Sequence, residues 1–132
     1  MAKKVILCVD DEKIILDTLL DQMYEAFGDN FVYEVAESVD EAWEVIDYLK
    51  ESGLNLHLVI SDWLMPGIKG DEFLINIHER YPQTAKILLS GQVDDAAVQN
   101  AFDYANLYVY LKKPWIKEQL ITKIEESTSI LK

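Results

Sequence analysis

The chain has 132 residues and a mass of 15.2 kDa, enough for one domain burying roughly 68 % of its unfolded surface and too little for two. Half of the residues are apolar or aromatic and 27% are charged, a balance that supports a packed core and excludes a wholly disordered, collagen-like or coiled-coil chain. Acidic residues outnumber basic ones 24 to 12, and the resulting net charge of -12 opposes direct binding to nucleic acid or to an anionic membrane surface.

Met1-Ala2-Lys3-Lys4 is basic, but the apolar stretch from Val5 to Val9 is too short for a signal peptide and far too short to cross a bilayer. That stretch is nearly continuous, as in a central strand covered on both faces. It holds the single cysteine, Cys8, so no intrachain disulfide forms and the cytoplasm is the expected compartment. Ile15, Leu16, Leu19, Leu20, Met23 and Phe27 then mark one face of a first helix, with Lys13, Asp17 and Asp21 opposite. Phe31 to Val35 alternates and reads as an edge strand. Ser38 and Glu41 have the capping-box spacing, and Val39, Ala42, Trp43, Ile46 and Leu49 recur at helical intervals before Gly53 supplies a stop.

Leu56 to Ile60 is a second central strand, and Phe73, Leu74 and Ile77 define a third helix ended by Tyr81-Pro82. Ala85 to Leu89 is the fourth strand, and Val98, Ala101, Phe102 and Ala105 give the fourth helix. Leu107 to Leu111 is the fifth strand, and Pro114 suits the first turn of a fifth helix carrying Ile116, Leu120, Ile121 and Ile124. Strand and helix alternate five times without repeat, low-complexity segment or linker. This pattern predicts a single α/β domain over residues 1–132, a (βα)5 unit with a mainly parallel sheet.

Ligands of an open parallel sheet bind outside the carboxyl ends of its strands. There the first strand gives Asp10-Asp11-Glu12, the third Ser61-Asp62, the fourth Ser90-Gly91 and the fifth Lys112-Lys113-Pro114. Three carboxylates gathered on one rim repel one another, and a hard divalent cation such as Mg²⁺ relieves that repulsion, so a metal site is implied.

Asp10-Asp11, Asp62-Trp63-Leu64-Met65-Pro66-Gly67 with Gly70, Ser90-Gly91, and Tyr110 three residues before Lys113-Pro114 resemble the receiver domain of response regulators along essentially the whole chain. The resemblance implies the flavodoxin-like, doubly wound strand order 2-1-3-4-5. It implies that Asp62 is the phosphoacceptor, attacking a phosphoryl group carried on a histidine of a sensor histidine kinase or phosphotransfer protein. By the same resemblance Asp10, Asp11, Asp62 and the backbone carbonyl of Leu64 hold Mg²⁺ (or Mn²⁺), Asp10 acting through water, and Lys113 holds a phosphoryl oxygen. Ser90 and Tyr110 are the switch pair, and Leu64 and Gln92 face the hydrolytic water and tune the lifetime of the phosphoryl group. The implied product is a switch of the surface made by the fourth helix, fifth strand and fifth helix. It acts on an output domain or effector, fused or separate, and a homodimer on phosphorylation belongs to the same expectation. The chain is then no turnover enzyme; it catalyses only its own phosphorylation and dephosphorylation.

Each of these residues also has an ordinary reading. Paired aspartates after a strand commonly start a helix, Asp62 alone is a turn residue and Ser90 alone a helix cap; it is the combination that favours a site. A flavin carrier of the same fold needs a Ser/Thr/Gly-rich phosphate loop where Asp10-Asp11-Glu12 stands. An aspartyl-phosphate phosphatase needs a second aspartate where Glu12 stands, and a receiver that only binds partners would not need Asp62, Asp11 and Lys113 together. His57 reads as a packed strand residue, His78 as surface and Trp43 as core; Trp115 is either core or a partner contact. Period two cannot choose between Tyr108 and Tyr110; the offset from Lys113 favours Tyr110. Two departures from the family pattern, no Gly-Ala turn in Tyr104-Ala105-Asn106-Leu107 and Trp115 in place of Phe, point to a receiver that acts within or beside a larger signalling protein.

Overall fold

The computed structural model describes residues 4–92 and 95–128. The basic Met1 to Lys3 segment and the last four residues of the expected 1–132 domain lie outside the described residues. Strands β1 (Lys4–Val9), β2 (Val32–Ala36), β3 (Asn55–Ser61), β4 (Ala85–Ser90) and β5 (Val109–Lys112) form one sheet in the order β2-β1-β3-β4-β5. All four pairings are parallel, which gives the predicted flavodoxin-like order. Helices α1 (Lys13–Phe27), α2 (Val39–Glu51), α3 (Gly70–Arg80), α4 (Asp95–Ala105) and α5 (Lys117–Thr128) follow the strands in turn.

Because side chains alternate along a strand, each central strand feeds two cores. Val5, Leu7 and Val9 of β1 meet Ala42, Ile46, Phe73, Leu74, Ile77 and Ala101 on the face covered by α2, α3 and α4. Ile6 and Cys8 meet Leu16, Leu19, Met23, Leu120 and Ile124 beneath α1 and α5. His57 is the extra residue of a β-bulge, since Val5 pairs with Leu56 and Ile6 with Leu58. The bulge puts Leu56 and Leu58 in opposite cores despite their spacing of two. The half-buried His57 ring is hydrogen-bonded through Nε2 to the Thr128 carbonyl at 3.2 Å.

Several local expectations hold. Ser38 Oγ accepts from the Glu41 N–H at 3.1 Å and starts α2. At the turn that lacks Gly-Ala, Asn106 takes φ 53°, a left-handed conformation that asparagine tolerates better than most residues.

Others are corrected. α5 begins at Lys117 rather than Pro114, with its first backbone bond from Leu120 to Ile116, and Ile116 is 56% exposed. The segment between is tied sideways to α1, where Trp115 Nε1 donates to Gln22 Oε1 at 2.8 Å. α4 buries Ala97, Ala101 and Ala105, an i, i+4 row small enough for close approach, which turns Phe102 outward to 42% exposure. β5 starts at Val109, although Leu107 is buried ahead of it. His78 is half-buried, and its Nδ1 is buried without a hydrogen-bond partner among the described residues. Trp43 is only half-buried, edge-on to Phe73 and covered by the Arg80 guanidinium at 4.7 Å.

Candidate functional site

The ladder continues one residue beyond three strand ends. The Asp10 N–H donates to the Ala36 carbonyl at 3.1 Å, the Asp62 N–H to the Val9 carbonyl at 2.9 Å and the Lys113 N–H to the Ser90 carbonyl at 3.1 Å. Three of the expected site residues are therefore fixed by backbone bonds to the neighbouring strand rather than carried on free loops. Their side chains meet at one rim, at a cleft of about 570 Å³ lined by Asp11, Glu12, Asp62, Leu64, Ser90, Gln92 and Lys113 among others.

Asp10, Asp11 and Asp62 each present an oxygen within 4.8 Å of the other two; Asp10 and Asp62 are buried and Asp11 is exposed. Three oxygen donors so spaced suit a small hard cation, which binds oxygens at about 2.0–2.1 Å and keeps water on its open side. The donor set thus fits Mg²⁺ or Mn²⁺. Asp10 Oδ1 also accepts from the Glu12 N–H at 2.9 Å, and Asp62 Oδ1 from the Trp63 N–H at 2.8 Å.

Lys113 Nζ lies 2.6 Å from Asp10 Oδ2, 3.6 Å from Asp62 Oδ1 and 3.8 Å from Glu12 Oε1. Burial by itself would lower the pKa of this ammonium, but the hydrogen bond and charge of Asp10, with Asp62 and Glu12 beyond, hold it above the ordinary lysine value. Burial raises the Asp10 carboxyl above its ordinary value, and the bonds from Lys113 and Glu12 offset that only in part.

Tyr110 and Tyr108 separate clearly. The Tyr110 hydroxyl donates to the Ser90 carbonyl at 3.0 Å, whereas the Tyr108 hydroxyl donates to Glu126 Oε1 at 2.7 Å on α5. Ser90 Oγ touches the backbone of Gln92, donating to its carbonyl at 3.2 Å and accepting from its N–H at 3.3 Å. Leu64 is 43% exposed at the cleft.

Sequence reasoning gave no role to Lys69 or Asp71. Lys69 lines the cleft with its ammonium 5.5 Å from the centre of the Trp63 ring, and the buried Asp71 accepts from Trp63 Nε1 at 2.8 Å. An aspartate just after Gly70 reads as an ordinary first-turn acid, so only the tertiary placement of the indole reveals the contact.

Among the described residues no helix is long and apolar enough to cross a membrane. Residues 6–125 match the response regulator receiver domain family. The chain is 32% identical over 122 residues to the hydrogenase transcriptional regulatory protein HoxA of Cupriavidus necator, covering 92% of this chain and 23% of that protein. It is 33% identical over 128 residues to the uncharacterized transcriptional regulatory protein YesN of Bacillus subtilis, covering 96% of this chain and 33% of that protein. The chain thus spans a third or less of the length of these relatives. The signal receiver domain of an HD domain-containing protein from Pseudomonas fluorescens Pf-5 superposes with a TM-score of 0.84 at 26% identity, covering 98% of this chain and 89% of that one. With its parallel sheet and acidic rim, the chain belongs to the response regulator receiver domain family, the signalling switches of two-component systems.

Proposed function

We propose that Asp62 is the phosphoacceptor of a Mg²⁺-dependent switch that takes its phosphoryl group from a phosphohistidine of a sensor histidine kinase or phosphotransfer protein. The observation that carries this reading is the convergence of Asp10, Asp11 and Asp62 with Lys113 at the end of the sheet. Asp62 Oδ1 is held by the Trp63 N–H, which leaves Oδ2 to attack phosphorus. The bond from phosphorus to the histidine nitrogen breaks, its electron pair stays on the imidazole, and Asp62 becomes an aspartyl phosphate. A bound divalent cation supplies charge neutralisation at the carboxylates and the incoming phosphoryl oxygens. Asp11, Asp62 and the Leu64 carbonyl would hold it directly, and Asp10 through water. Lys113, already charged and within reach of Asp62, stabilises a further phosphoryl oxygen.

Ser90 and Tyr110 carry the change outward. Among the described residues Ser90 Oγ holds only the Gln92 backbone, through two long contacts, so its turning toward a phosphoryl oxygen breaks little. The Tyr110 hydroxyl is bonded to the carbonyl of the same serine, so that movement reaches the surface of α4, β5 and α5. The phosphorylated population then differs from the free one by a shift between states, read by an output domain or effector, fused or separate, or by a second copy of the chain. The setting is cytoplasmic, with the described fold forming one unit and direct contact with nucleic acid opposed by the acidic surface.

Beryllofluoride, a stable stand-in for a phosphoryl group, tests the reading. With Mg²⁺ it should shift the amide resonances of Asp62, Ser90, Lys113 and the α4-β5-α5 surface. Shifts confined to α1 and α2 would contradict the route through Ser90 and Tyr110.

A further inference from the structure

Leu64 to Lys69 form a six-residue loop with little else to hold it, since of these only Met65 is buried. The loop is closed at its base by Trp63 and the start of α3. The Gly70 N–H donates to the Trp63 carbonyl at 2.9 Å, and Trp63 Nε1 donates to Asp71 Oδ1 at 2.8 Å. Asp71 is 9% exposed and stands in the first turn of α3, where a carboxylate is favoured, so this is a charge-assisted hydrogen bond partly shielded from water. The Lys69 ammonium covers the ring of the same indole at 5.5 Å.

We infer that Trp63 and Asp71 form a clamp that sets the Leu64 carbonyl and the Asp62 carboxylate for the divalent cation, which makes both of them positioning residues. The inference rests on the metal reading of the acidic cluster. Trp63 lies between two groups that the cation would need: its own N–H orients Asp62 Oδ1 at 2.8 Å, and its carbonyl carbon begins the peptide that leads into Leu64. Tethering the indole to α3 therefore restrains the Trp63 backbone from which both are set. The bond to Asp71 refers that indole to α3, which packs Phe73, Leu74 and Ile77 into the core, so the loop inherits the rigidity of the helix. Trp63 is half-buried and its N–H needs an acceptor there.

The test measures Mg²⁺ binding by calorimetry and amide hydrogen exchange of residues 64–69 without metal, for wild type, Trp63→Phe, Asp71→Ala and Asp71→Asn. Trp63→Phe keeps an aromatic ring for Lys69 but lacks the N–H donor; Asp71→Asn keeps an acceptor. Expected are a loss of about tenfold in Mg²⁺ affinity and faster loop exchange in Trp63→Phe and Asp71→Ala, with Asp71→Asn close to wild type. Lowered thermal midpoints with unchanged Mg²⁺ affinity and unchanged loop exchange would make the contact merely structural and overturn the clamp. Absence of Mg²⁺ binding in the wild type itself would instead overturn the metal reading; loop exchange unchanged in both variants would then remove the clamp as well.

Discussion

Lys113 Nζ lies a full ångström closer to Asp10 Oδ2, at 2.6 Å, than to Asp62 Oδ1, at 3.6 Å. In this state the ammonium compensates the buried aspartate at the end of β1 and only approaches the candidate acceptor. The Asp10 side chain is 3% exposed and that of Lys113 14%, so the pair is shielded enough for each partner to matter to the other.

Removal of one partner should therefore cost more than removal of both. Lys113→Met leaves a buried carboxylate without its cation and should lower stability by about 3 kcal/mol. Adding Asp10→Asn should restore a large part of that. Urea unfolding in the presence of a chelator checks it, and additive losses in the double variant would contradict the pairing.

Lys86 gives a pH prediction. It is 1% exposed in β4, donates to the Thr84 carbonyl, and burial lowers its pKa from 10.5 to about 8. Between those values the unfolded chain binds more protons than the folded one, so this group makes stability rise with pH there. Its cost is full below pH 8 and gone above pH 10.5. The stability advantage of Lys86→Met over wild type should fall by up to about 3 kcal/mol across that window. A pH-independent difference in denaturant titrations would show that Lys86 does not titrate there.

Gly70 and Gly91 should behave oppositely. A Cβ on Gly70 would stand 2.0 Å from the Asp62 carbonyl oxygen, a backbone atom that cannot yield without moving Asp62, whereas one on Gly91 would meet Lys113 Cβ at 3.6 Å, an ordinary contact. Gly70→Ala should lose several kcal/mol or fail to fold, at about the upper range of single substitutions. Gly91→Ala should unfold at nearly the wild-type midpoint. Equal midpoints for the two variants would contradict the close approach.

The lifetime of the phosphoryl group should depend on Leu64 and Gln92, which both line the cleft. Leu64 offers a hydrolytic water no hydrogen bond, whereas Gln92 offers a donor and an acceptor but no base. Self-dephosphorylation should be slower than in receivers with polar groups at both places, and Leu64→Asn should speed it. Phosphate release after removal of the donor is the measurement. An unchanged or slower rate in the variant would leave loop mobility in control.

The five strands and the grouping of Asp10, Asp11, Asp62 and Lys113 were legible because each of these residues follows an apolar run whose end the sequence marks, whereas the strand order followed from the resemblance to receiver domains. The offset from Lys113 also favoured Tyr110, the ring that contacts Ser90. Hidden were features decided by tertiary packing. The bulge at His57 leaves no trace in composition, and the alanine row of α4, which turns Phe102 outward, competes with a plausible stripe through Phe102 itself. Pro114 looks like a helix start until Trp115 is seen bonded to Gln22 on another helix. The Trp63–Asp71 bond joins a loop residue to the first turn of α3, a contact made by the path of the loop and not by the period of any one helix or strand.

Whether Asp62 accepts the phosphoryl group is read by intact mass and phosphopeptide mapping after incubation with acetyl phosphate. Expected is one added phosphoryl group on the peptide containing Asp62, dependent on Mg²⁺ and absent in Asp62→Asn. Labelling of Asp62→Asn to the wild-type extent, or equal labelling of the wild type with and without Mg²⁺, would contradict it.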